Sequence, residues 1–240
     1  MTTSILETAL LCLSLFQVSN ALVGVSWSTS NVPSTGLSDI TFPISIANAS
    51  HQSGYYFAQQ YNFNGQSDVG YTGIQPRENS GSASRLHAVF SSFIQGTTSD
   101  DSNCKTGADG GAGVSCAVDI SATYAHTYLL QLNNTQGTTW SGTLVDAATG
   151  VQTHIGAYTL PKGTKGITGS QMGFVEYYPW NAQPSHSCSS LPRTAVTFGK
   201  PFSDRGVGNI REAYEYGDCV GKAGFQAQST MKGVHVTLGF

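Results

Sequence analysis

Charge is what this 240-residue chain has least of: Lys, Arg, Asp and Glu together make up 10% of it. The net charge of −3 offers no basic footprint, so nucleic acid is not an expected partner. Long apolar runs are also missing. "ALLCLSLF", Ala9 to Phe16, is too short to cross a bilayer, and no later stretch is longer, so no membrane span is expected. No internal repeat occurs, and no segment keeps helical periodicity over three turns. The absence of GxSxG argues against a serine hydrolase built on a nucleophile elbow. Without a Walker Lys-Ser/Thr, the glycines do not read as a phosphate cradle.

What the chain does have is glycine, 28 residues of it, between short runs rich in β-branched and aromatic residues. These runs are Ile40–Ala47, Tyr55–Phe63, Val69–Gln75, Arg85–Phe93, Thr127–Leu132, Trp140–Asp146, Met172–Tyr178, Thr194–Gly199 and Gly233–Phe240. Breakers such as Asn64-Gly65 and Thr149-Gly150 separate them. Many short strands at this spacing predict a single all-β domain, an antiparallel β-sandwich or jelly roll. The longest loop candidate is Thr97 to Gly113.

Residues 1–21 read as a secretory signal peptide, with small residues at Ser19 and Ala21, which leaves Leu22–Phe240 as the mature domain. The localisation expected is therefore secreted and extracellular, and a monomer is expected. Beyond Cys12 in that leader, the cysteines are Cys104, Cys116, Cys188 and Cys219. Four cysteines allow three pairings. Cys104–Cys116 and Cys188–Cys219 are preferred, because each closes a local loop. Zinc is the competing reading, disfavoured by the lack of CxxC spacing and by an oxidising compartment. Asn48-Ala-Ser and Asn133-Asn-Thr are acceptor sequons, expected on surface loops.

The stretch "GYYFAQQYNFNGQSDVGYTGIQPRENS", Gly54 to Ser80, concentrates aromatics and amides. Successive strand side chains point to opposite faces. Tyr55, Phe57, Gln59, Tyr61 and Phe63 form a mostly apolar set that should pack inward. Leu86, Ala88 and Phe90 continue it. If the strands are neighbours, the opposite face gathers Tyr56, Gln60, Asn62, Tyr71, Gln75, Arg85 and His87. Planar amides and a guanidinium pair with sugar hydroxyls, and tyrosines stack on sugar C–H faces. Stiff strands hold such groups with little ordering cost.

The motifs "YYFAQQYNFNGQSDVGYTGIQPRE", "HAVFSSF", "GADGGAGVSC" and "MGFVEYY" resemble a family of secreted fungal and bacterial domains of unknown function. That family pairs an aromatic-AQ-aromatic strand with a GYxGxQ strand, an acidic Gly-rich loop and an FxE-aromatic strand. The resemblance runs from about Gly54 to Gly199. It implies an extracellular, sandwich-like, carbohydrate-related domain and supplies no reaction. The loop here keeps Asp109 but carries cysteines around it.

The leading expectation is recognition of an extracellular polysaccharide or cell-wall glycan. The alternative is a polysaccharide lyase acting on uronates by β-elimination, with His87, Tyr71 and Arg85 as catalytic groups. A glycoside hydrolase would need two carboxyls, with Glu176 as one and Asp146, Glu212 or Glu215 as the second. A third class is a structural or toxin-like protein. No cofactor is required by these readings. Calcium is a possibility through Asp100, Asp101 and Asp109, although the spacing is not that of an EF-hand.

Overall fold

The structure is a computed structural model and describes residues 21–240. The leader assigned to residues 1–21 falls almost wholly outside the described residues, of which Ala21 is the first. In chain order the strands are β1 (Ala21–Ser28), β2 (Asp39–Ser45), β3 (Tyr55–Asn62), β4 (Val69–Ser80), β5 (Ala83–Ser92), β6 (Cys104–Thr106) and β7 (Val114–Ser121). They continue as β8 (Thr127–Gln136), β9 (Thr139–Asp146), β10 (Gln152–Thr159), β11 (Ser170–Tyr177), β12 (Thr194–Gly199), β13 (Phe202–Ser203) and β14 (Gly206–Val207). The last three are β15 (Asn209–Glu215), β16 (Gln226–Ser229) and β17 (Gly233–Leu238). Two short 3-10 turns, Tyr178–Ala182 and Cys188–Ser190, are the helical elements among the described residues, and no helix there is long and apolar enough to cross a membrane.

One sheet runs in the order β15-β1-β11-β3-β4-β5-β7-β6, and the other in the order β10-β9-β8-β2-β12-β17-β16 with β13 and β14 beside β2. Every pairing between these strands is antiparallel. The expected antiparallel sandwich is therefore the architecture found. Its core lies between the sheets, where alternate residues of each strand interdigitate. Trp27 meets Phe42 at 5.1 Å between ring centroids, Phe63 meets Trp140 at 5.0 Å, and Phe90 stacks on Tyr158 at 4.3 Å. Phe57, Leu86 and Phe90 are fully buried, as the period-2 pattern predicts.

Both preferred disulfides are present, Cys104–Cys116 and Cys188–Cys219. The first does more than close a loop. It joins directly opposed residues of β6 and β7, so the expected Thr97–Gly113 loop contains a short strand. The sequon residue Asn48 is exposed in a turn, but Asn133 lies within β8, paired with Asp39 and Ser141 rather than in a loop. Its side chain nevertheless faces solvent, because the sheet leaves that outer position uncovered.

Candidate functional site

The outward face of the eight-stranded sheet is organised in rows that cross the strands. One row joins Ala21, Glu176 and Tyr56 on β1, β11 and β3, and continues in line through Gln75, His87 and Asp119 on β4, β5 and β7. The next contains Gly24, Phe174, Ala58, Gly73, Val89 and Ala117. The third holds Ser26 and Met172, then Gln60, Tyr71, Ser91 and Ser115. A row of small and apolar residues is thus bordered on both sides by polar ones.

The glycines of the middle row have a steric reason. A Cβ on Gly73 would come within 2.7 Å of the Tyr56 ring, and one on Gly24 within 2.5 Å of the Tyr214 ring. Each ring therefore covers a position that carries no side chain. Phe174 binds the aromatic group together, edge-on to Tyr56 at 5.7 Å and to Tyr71 at 5.1 Å. Ala21, Tyr56, Ala58, Val89 and Phe174 form a second apolar cluster, with Tyr71, Ala117, Tyr178 and Tyr216 packed against it. Apolar area is thus buried on the outside of a sheet whose inside already supplies the core.

Titratable groups gather at the same place. Glu176 is buried, and its Oε1 accepts a 2.7 Å hydrogen bond from Asn181 Nδ2. The Tyr56 hydroxyl is buried without a hydrogen-bond partner. Burial, reinforced by the charges of Asp109 and Glu176, pushes the Tyr56 hydroxyl well above the usual phenol range. Burial likewise pushes Tyr71 up to about 12, with Glu176 and Asp109 adding to the effect. Tyr216 is raised by burial, then by Tyr214, Glu176 and Tyr71. Asp109, on a loop residue with φ of 48°, has its carboxyl raised by desolvation. Two carboxyls therefore act on one set of tyrosines.

The residues expected on this face are all found there, but not in one compact groove. Gln60 lies opposite Tyr71, and Trp27 Nε1 donates to the Gln60 carbonyl at 3.1 Å. Asn62 closes the far end of β3, its Oδ1 accepting from Gln171 Nε2. Gln75 lies opposite His87, four residues along β4 from Tyr71, a rise of about 13 Å. Arg85 lies farther on, opposite Arg77. His87 Nδ1 is 3.0 Å from Asp119, and burial holds the imidazole below its usual range, opposed by Asp119 and assisted by Arg77. Arg77 is clamped by Gln75 Oε1 at 2.6 Å and the Tyr178 hydroxyl at 3.0 Å. The three groups expected to serve a lyase therefore span well over one sugar ring.

The acid pairings expected for a hydrolase are also redrawn. Asp146 belongs to the other sheet, with Oδ2 2.8 Å from His126 Nδ1, and Glu215 accepts from the Gly221 amide. Glu212 sits on edge strand β15. The carboxyl that shares the tyrosines with Glu176 is Asp109, which spacing along the chain does not reveal because it arrives from a loop. The acids named for calcium are held apart among the described residues. Asp100, Asp101 and Asp109 do not converge: Asp101 is taken by His154 Nε2 at 2.5 Å and by the Asn103 amide, while Asp109 serves the tyrosines. Phe174, Tyr178, Tyr214 and Tyr216 were not expected at the site. The signal for them was present in the aromatics alternating around Glu176 and in glycines at matching register.

No protein-family model matches the chain, and no curated protein matches it. Among solved structures, scytalido-glutamic peptidase with a transition state analog inhibitor aligns at 13% identity and a TM-score of 0.48, covering 92% of this chain and 98% of that one. SCP-B, a member of the Eqolisin family of peptidases in complex with the tripeptide Ala-Ile-His, aligns at 12% identity and a TM-score of 0.44, covering 93% and 98%. The likeness lies in the β-rich layout.

Proposed function

We propose that the protein is secreted and binds an extracellular polysaccharide across the outward face of the eight-stranded sheet. The observation that carries this reading is the row pattern: an apolar, aromatic-covered row lies between a row of carboxyls, an imidazole, an amide and a phenol and a row made mainly of hydroxyls and an amide, and all three run perpendicular to the strands. Neighbouring strands are about 4.8 Å apart, close to the advance of one pyranose in an extended chain. Along the third row, β3, β4 and β7 then offer Gln60, Tyr71 and Ser115 to successive sugars. An extended peptide, whose like-facing side chains recur about every 6.6 Å, falls out of step with that ladder. Tyr214, whose ring rests on Gly24, is 44% exposed and presents a flat face for sugar C–H groups.

A second reading is supported by the acid groups. Glu176, whose Oε1 accepts a hydrogen bond, and Asp109, whose carboxyl is raised by desolvation, supply the two carboxyls that glycosidic hydrolysis needs, with Asp109 suited to the acid role. The spread of His87, Tyr71 and Arg85 along the strands makes β-elimination the less supported alternative.

The test is a glycan array followed by incubation with each polysaccharide retained. Binding that is lost in a Gln60→Ala/Tyr71→Ala variant supports the proposal. New reducing ends that vanish in Glu176→Gln support hydrolysis, and ultraviolet-absorbing unsaturated ends would revive the lyase. Failure to retain any polysaccharide, or unchanged retention in the double variant, rejects the binding face.

A further inference from the structure

A different cluster lies beyond β11, where the chain turns through its two 3-10 segments. His186, Cys188 and Cys219 each offer a ligand atom, and these atoms all lie within 4.8 Å of one another. Among the described residues this is the one group of three or more His, Cys, Asp or Glu that converges in this way. Trp180 stacks on the imidazole at 4.0 Å with 13° between the planes, so the ring is held in place. The His186 side chain is only 11% exposed. Asp218 Oδ2 is 3.0 Å from His186 Nε2, yet it lies off the line a hydrogen bond requires, and Nε2 is buried without such a bond.

A buried ring nitrogen with no aligned partner is costly to leave unmade. Indole stacking holds the ring beside two sulfurs that are bonded to each other, with one ring nitrogen and both sulfurs within 4.8 Å of one another. Imidazole with two thiolates is a donor set suited to zinc. Cys104–Cys116 has no such company. It lies between two strands, and among the described residues no His, Asp or Glu converges on it.

We infer that the Cys188–Cys219 clasp is a redox-gated zinc site, closed by the disulfide when oxidised and by Zn²⁺ when reduced. A dithiol reductant gives two electrons and two protons to the Cys188–Cys219 bond, yielding two thiols while it becomes a disulfide itself. Each thiol then loses its proton as a Zn–S bond forms. His186 supplies a ring nitrogen, and the fourth position is left to water. The backbone separation allows this, because the two Cα atoms are 5.5 Å apart. The sulfurs must move to roughly 3.8 Å apart to bind one tetrahedral zinc. Cys219 is buried and Cys188 packs against the same core, so the movement falls to Cys188, which opens the short 3-10 turn Cys188–Ser190 between exposed neighbours. The clasp ties this loop to the segment that follows Tyr214 and Tyr216. Zinc would thus keep the aromatic edge of the sheet face anchored after reduction.

The test uses the full chain, reduced anaerobically and titrated with Co²⁺. The expected result is one equivalent bound with thiolate-to-cobalt charge-transfer and tetrahedral ligand-field bands, displaced by Zn²⁺. The oxidised protein should show neither band. Reduced His186→Ala should lose most of the uptake, and Cys188→Ser/Cys219→Ser all of it. Melting provides a second readout: Zn²⁺ should restore part of the stability lost on reduction in the native sequence but not in His186→Ala, each measured against its own oxidised form. No cobalt bands in the reduced native chain overturn the inference. So does equal uptake by reduced His186→Ala, or uptake that survives in the Cys188→Ser/Cys219→Ser variant.

Discussion

On β3, Tyr56 and Phe57 are neighbours in sequence and point to opposite sides of the same sheet. Phe57 enters the core between the sheets, while Tyr56 enters a small apolar cluster on the outside. The inner face is deep enough to satisfy its polar atoms: the Tyr61 hydroxyl bonds Tyr158 at 3.0 Å and the Ser91 carbonyl at 3.2 Å. The outer face leaves the Tyr56 hydroxyl unpaired beside two carboxyls. Buried polar groups without partners mark places where stability is given up, and such places are commonly functional. One residue reverses the contrast. Gln59 faces inward, fully buried, with neither polar atom of its amide paired.

The comparison breaks most visibly at Phe90, which stacks on Tyr158 and packs near Tyr61. Phe90→Ala should cost about 3–5 kcal/mol through the cavity it leaves. Urea unfolding would measure this, and a loss under about 1 kcal/mol would mean the inner face is less tightly packed than described. Gln59→Leu should act in the opposite direction and stabilise the fold by roughly 1–3 kcal/mol, because an unpaired amide is exchanged for apolar surface of similar size. A destabilised Gln59→Leu variant would reveal a hidden partner for that amide.

On the outer face, Tyr214→Ala should leave the unfolding midpoint nearly unchanged and weaken retention of a bound polysaccharide about tenfold, the scale of one lost aromatic contact. Equal affinity would remove the ring over Gly24 from the binding face. The smallest expected effect concerns His87. Its folded imidazole is held below the usual value, so below about pH 6.5 the unfolded chain binds the proton more readily than the folded one. Stability should therefore fall as pH drops through that range, and His87→Gln should flatten the slope. Melting temperatures read across the range would check this, and an unchanged slope would show that His87 titrates alike in both states.

The fold class was legible because a sheet with one buried face writes its period into the chain. Phe57, Leu86 and Phe90 could be assigned inward from alternation alone. The same rule put Gln60, Tyr71, Gln75, Arg85 and His87 together on the other face. Both disulfides followed from cysteines close in sequence. Strands β1, β7, β10 and β15 were less visible. β1 follows the apolar run Ala9–Phe16 after only four residues, and the others have little apolar alternation of their own because they lie toward the sheet edges.

Sequence alone thus determined which side of strands such as β3 and β5 is apolar, since that depends only on neighbours along the chain. The tertiary structure decided what stands next to what across the strands. Register between β3 and β4 set Gln60 against Tyr71, and pairing of β11 with β3 brought Glu176 to Tyr56 from 120 residues away. A loop carried Asp109 to the same tyrosines, and two turns carried His186 to Cys188 and Cys219. Those juxtapositions depend on long-range pairing, which local periodicity does not encode.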